Sequence, residues 1–159
     1  MNYNVINKNK SAVFHTFSQM PITKETELPN ERHNYTLVDK KRIDYFVNRG
    51  EYSIPILKER LLTSTDEKDI TESLYIVDQL IDNKVKGSDK MYPTLSKFNN
   101  SRSGNIQTFL AGIYRKTHPP DAFGPLFSML IKNSIEDAKT PKPFDANEEI
   151  GGAILSYLA

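Results

Sequence analysis

The chain has 159 residues, the size of one ordinary domain and enough to bury a core of its own. It contains no cysteine, which excludes disulfides, thiolate metal sites and cysteine nucleophiles. Lys+Arg 21 against Asp+Glu 20 leaves a net charge of +1, which excludes a strongly basic nucleic-acid binder while leaving room for a local basic patch.

Residues 1–36 read as an extended arm. The segment is rich in Asn and Pro, with one apolar island from Ala12 to Phe17 whose alternation suits a short strand. Its first twenty residues are polar and lack the apolar stretch of a secretory signal, and no apolar run in the chain reaches the roughly 18–20 residues of a membrane span. The expectation is a cytoplasmic protein with no membrane contact.

Residues 37–159 read as a helical domain. Val38, Ile43, Phe46 and Val47 predict a short helix stopped at Gly50. A second follows from Ser53, with Pro55 in its first turn and Leu57, Leu61 and Leu62 behind it. Ile70, Leu74, Val77 and Ile81 predict a strong third helix ending near Lys84. Thr65, Asp66 and Asp69 compete as its N-cap, and Asp69 with Glu72 resembles a capping box. Met91, Leu95 and Phe98 share a face after Pro93, and a polar loop spans Asn99 to Gly104. Ile106, Phe109, Leu110 and Ile113 make another strong helix, stopped by His118-Pro119-Pro120. Asp121 is expected to cap the next helix, which carries Phe123, Leu126, Phe127, Leu130 and Ile131. Pro141 and Pro143 mark a linker, and a last helix runs from Asp145 to Leu158.

These pieces repeat. Pro55, Pro93 and Pro125 each lie early in a helix, 38 and then 32 positions apart. The two strong helices superimpose at an offset of 36, which sets Ile70 on Ile106, Leu74 on Leu110 and Val77 on Ile113. Helical hairpins at this period are the sign of an α-solenoid. On these residues, over about residues 50–135, the chain resembles the HEAT and armadillo class of helical repeats. The resemblance implies an all-α fold of stacked antiparallel helical hairpins whose second helices line a binding surface. The alternative is a non-repetitive helical bundle.

No catalytic constellation is present. His15, His33 and His118 lie in unrelated segments, and there is no zinc-protease, nucleophile-elbow, phosphate-loop or dinucleotide pattern. No cofactor is expected. Helical phase leaves Tyr75, Asp78, Gln79 and Asp82 outward on the first strong helix, and the offset of 36 maps them to Ala111, Tyr114, Arg115 and His118 on the next. Exposed tyrosines beside an arginine match the composition of protein interfaces, so the expected partner is another protein and the expected role that of an adaptor. Two other readings stand beside it. A nucleic-acid site would need Lys84, Lys86, Lys90 and Lys97 to line one groove, and a small enzyme would need a closed pocket around His118. The last helix, apolar on more than one side, is expected to close the domain on Phe127 and Ile131, or else to bury its second face in a homo-oligomer. Gly151-Gly152 within it points to close packing.

Overall fold

A computed structural model describes residues 40–139 and 146–159; the expected arm, the proline linker and the Asp145 cap lie outside them. Among the described residues the chain is all-α, with no strand. Helix α1 (Lys40–Arg49) ends where Gly50 takes a φ of +56°, a conformation that costs glycine least. The chain then turns through Gly50–Tyr52 into α2 (Ser53–Thr63). Pro55 sits in the first turn of α2, where the missing N–H would have had no helical partner.

Helix α3 (Glu67–Asp82) is capped by Asp66, whose carboxylate accepts from the backbone N–H of Lys68 at 2.7 Å and of Asp69 at 3.4 Å. The expected Asp69/Glu72 capping box does not form. Both side chains turn to Arg60 of α2, and Glu72 also meets Arg42 of α1. The second proline-led element is short: 3₁₀ turns at Ser88–Lys90 and Ser96–Phe98 flank α4 (Tyr92–Leu95).

Helix α5 (Gly104–Thr117) is capped by Ser103 and stopped at His118, which takes a left-handed φ of +46° ahead of two prolines. A 3₁₀ turn, Pro120–Ala122, leads into α6 (Phe123–Asp137). Asp121 lies inside that turn and makes no side-chain cap, so the expected capping role is not filled. Helix α7 (Asn147–Leu158) completes the chain.

Packing follows from which ends meet. Helices α3 and α5 run side by side in the same direction: Ser103 bonds to Glu67 at their N-termini, and Lys116 reaches Asp78 and Asp82 near their C-termini. Helix α7 lies along the other flank of α5, with His118 bonded to Ser156 at 3.0 Å. Helices α6 and α7 form an antiparallel pair: Asn133 meets Asn147 at one end, and the rings of Phe123 and Tyr157 lie 5.8 Å apart at the other. Lys97 places its ammonium on the Leu61 and Leu62 carbonyls at the end of α2, which joins the α4 region to α2.

The core runs through all of these helices. Leu57, Leu61, Leu74, Val77, Leu110, Ile113 and Ile150 are inaccessible to solvent. Helix α7 therefore does close the domain within the chain, but mainly on α5 and on the inner side of α6. Phe127 and Ile131, expected beneath it, remain 49% and 47% exposed.

Candidate functional site

The middle helix of the row α3–α5–α7 presents Asn105, Thr108 and Gly112 half-buried, with Arg115 and Lys116 exposed at its end. Arg115 and Lys116 are neighbours in sequence, so their side chains leave the helix about 100° apart and reach opposite flanks. Lys116 turns to α3, 2.8 Å from Asp78 Oδ1 and 2.7 Å from Asp82 Oδ1. Arg115 turns to α7, where Nη1 lies 3.8 Å from Glu149 Oε2. A Cβ on Gly152 would stand 3.3 Å from that same Nη1, so the glycine leaves room for the arginine. The close approach expected at the glycine pair is thus a guanidinium at Gly152, and a Cβ on Gly151 would meet nothing within 4 Å.

Burial opposes the charge on Lys116, but hydrogen bonds and attraction from Asp78 and Asp82 outweigh it and hold the ammonium above its ordinary pKa. Burial raises the Asp78 carboxyl above its usual range although Lys116 pulls it down. On α3, Tyr75 is half-buried with its ring 5.7 Å from that of Phe109, and its hydroxyl is raised first by burial and then by the nearby Asp78 and Asp82 charges. Gln79 is half-buried one turn further along, with its carbonyl accepting from Asn83. His118 is exposed at the end of α5, edge-on to Tyr157 at 5.0 Å.

The structure brings Asp78, Asp82, Arg115 and His118 onto this face, with Tyr75 and Gln79 on its α3 side. It does not bring Tyr114 there. Tyr114 is fully buried, its hydroxyl donating to Asn99 Oδ1 at 2.8 Å and its ring 5.4 Å from Tyr92; Ala111 is fully buried as well. The offset of 36 still sets buried Ile106, Leu110 and Ile113 on buried Ile70, Leu74 and Val77. Helix α5, packed by α3 on one flank and α7 on the other, buries an arc that takes in Ala111 and Tyr114, where the matching Tyr75 and Asp78 stay half-buried.

A polar cleft elsewhere in the fold escapes sequence reasoning. It measures about 400 Å³ and lies between the loop before α5 and the far end of α6, lined by Asn99, Arg102, Gln107, Lys132, Asn133 and Glu136 among others. Its floor is a closed amide network. Asn133 Nδ2 donates to Gln107 Oε1 at 2.7 Å and to Asn147 Oδ1 at 3.1 Å, and Gln107 Nε2 donates to the Ser101 carbonyl at 2.8 Å. The only sequence signal was the run of polar residues from Asn99, which reads equally well as a loop.

The four lysines of the nucleic-acid reading do not share a groove. Lys97 serves the C-terminus of α2, whereas Lys86 pairs with Glu51 just before its N-terminus, at 3.6 Å. An eleven-residue helix of roughly 16 Å separates them. Among the described residues no group of three His, Asp or Glu side chains is placed to hold a metal ion, and no helix is long and apolar enough to cross a membrane. Comparison with protein-family models, with curated proteins and with solved structures returns no match, so the face built by α3, α5 and α7 has to be read from its own chemistry.

Proposed function

We propose that the chain is a non-catalytic protein-binding module, an adaptor built from HEAT-like stacked helical hairpins. The observation that carries the reading is the row α3–α5–α7, cross-tied by Lys116 on one flank of α5 and Arg115 on the other. Such a row offers a continuous surface wider than one helix, with small residues at Thr108 and Gly112 along its middle and both signs of charge beside them. An extended polar segment of a partner protein fits that relief, with Tyr75 as its aromatic contact and Asp82, Arg115 and His118 as its polar ones. The same-direction pairing of α3 with α5, and the link from Lys97 back to α2, support the stacked-hairpin reading.

Asp82 and Arg115 are half-exposed, so exchanging their charges leaves the core intact. The test is capture from lysate of the source cells, with and without nuclease, comparing the native chain with the D82K/R115E variant. A protein retained after nuclease and lost with the double change, at unchanged thermal unfolding, is the expected result. Capture that disappears with nuclease, or that ignores the double change, overturns the reading.

A further inference from the structure

Helix α6 carries an outer face without a charge. Its centre is Ile131, 47% exposed, with Phe127 at 49% and Ile135 at 54% one turn to either side. Charged residues make up 26% of the chain, so an uncharged exposed strip four turns long is not what solvent alone selects. Its sequence is also symmetric. Counting outward from Ile131, three positions away stand Ser128 and Ser134, four away Phe127 and Ile135, and seven away Gly124 and Ala138; none of the six is buried. The nearest cation, Lys132, sits at the edge of the strip and donates to Asn100 Oδ1 at 3.4 Å.

We infer that this face is the contact between two copies of the chain, with α6 packed antiparallel on its twin about a two-fold axis at Ile131. In a two-fold contact each residue meets its mirror position. That operation sets Phe127 of one copy against Ile135 of the other, large on large. It sets serine against serine, and brings the small residues Gly124 and Ala138 together at the ends, where the backbones can approach. A partner of unrelated sequence needs no such symmetry in the face it binds. Net charge favours the same occupant, because at +1 two copies hardly repel each other. The strip is about 21 Å long, and one helix pair covers less than the roughly 800 Å² per partner of a standard interface. The dimer is therefore concentration-dependent rather than obligate. It also lies on different residues from the face assigned to the adaptor role, so either can fail without the other.

The test is sedimentation velocity on the full chain over a wide concentration range, for the native protein and for I131E, which sets two like charges on the axis. The native chain is expected to shift from monomer to dimer, and I131E to associate at least about tenfold more weakly at an unchanged unfolding temperature. Because the chain has no cysteine, I131C provides an independent reading that does not depend on a buried charge. It is expected to form a disulfide-linked dimer under mild oxidation, while L62C, at an exposed leucine on α2, does not. A native chain that stays monomeric at every concentration overturns the inference. So does a dimer indifferent to I131E, or cross-linking equal at positions 62 and 131.

Discussion

The two ends of the domain are locked by different polar chemistry. Where α1, α2 and α3 meet, the buried polar groups are ions: Arg42 Nη2 lies 2.9 Å from Glu72 Oε1, and Arg60 Nη2 lies 3.1 Å from Glu72 Oε2 and pairs with Asp69 as well. Where α5, α6 and α7 meet, they are neutral: the Gln107–Asn133–Asn147 amides, the Tyr114 hydroxyl on Asn99, and the Tyr157 hydroxyl on the Pro119 carbonyl at 2.9 Å. Glu72 joins three segments of chain at one point and so does the Asn133 amide, while the two tyrosine hydroxyls make separate ties. The two ends differ in how much stability goes with the loss of a member. Burial raises the Glu72 carboxyl above its ordinary range in spite of both arginines, so the ions gain little over their solvated state. Removing Glu72, however, takes a buried carboxylate from both Arg42 and Arg60 and leaves Arg60 to Asp69, and a guanidinium cannot shed its charge as a carboxyl can. An amide that loses its partner leaves only a dipole unsatisfied.

The largest effect should therefore come from Glu72→Ala. With Arg42 and Arg60 left buried together, the loss is expected at about 3–5 kcal/mol in denaturant unfolding; a loss below about 1 kcal/mol would mean that water reaches the cluster and that the two ends do not differ. Next is Leu110→Ala, at the fully buried centre of α5, with about 2–5 kcal/mol expected from the cavity it leaves. Its role is to calibrate the comparison, since it measures apolar packing at the neutral end. The smallest change is Tyr114→Phe, which removes the bond to Asn99 and keeps the ring, for about 0.5–1.5 kcal/mol.

Alkaline titration sharpens the same contrast. Burial pushes Tyr157 up to about 12 and raises Tyr114 as well. A raised folded-state pKa means that the native chain holds these protons where the unfolded chain would release them. Their contribution to stability is complete below the ordinary tyrosine range near 10 and is lost as pH rises through about 12. Followed by phenolate absorbance, Tyr157 should ionise near about 12, and Tyr114 only as the fold opens. Ionisation of every tyrosine in one step near 10 would contradict the burial of both.

Backbone punctuation was the most legible part of the sequence. Gly50 and His118-Pro119-Pro120 end their helices as their stereochemistry requires, and Pro55, Pro93 and Pro125 all fall in first turns; α3 stops at Asp82, with Lys84 taking the first positive φ ahead of Gly87. The core stripes Ile70-Leu74-Val77 and Ile106-Leu110-Ile113 are buried as their spacing demands. What sequence could not reveal lies in two kinds of place. Periodicity matched the apolar stripes of the two helices but not where their buried arcs end, so Tyr114 was placed outside although Tyr92 and Asn99 receive it in the interior. Arg42, Arg60, Glu72, Gln107 and Asn133 were hidden because hydrophobic patterning sends polar side chains to solvent, and only a three-dimensional partner reverses that assignment.

The cross-ties between neighbouring helices share one further property. Arg42–Glu72, Gln107–Asn133, Lys116–Asp78 and His118–Ser156 join residues 26 to 38 positions apart, about the length of one hairpin. Each helix thus meets its partners almost as soon as it follows them off the ribosome, and α1 to α3 can assemble before α6 exists. Contacts of such short reach close small loops and favour fast folding. The order in which this chain is synthesised is also an order in which it can fold.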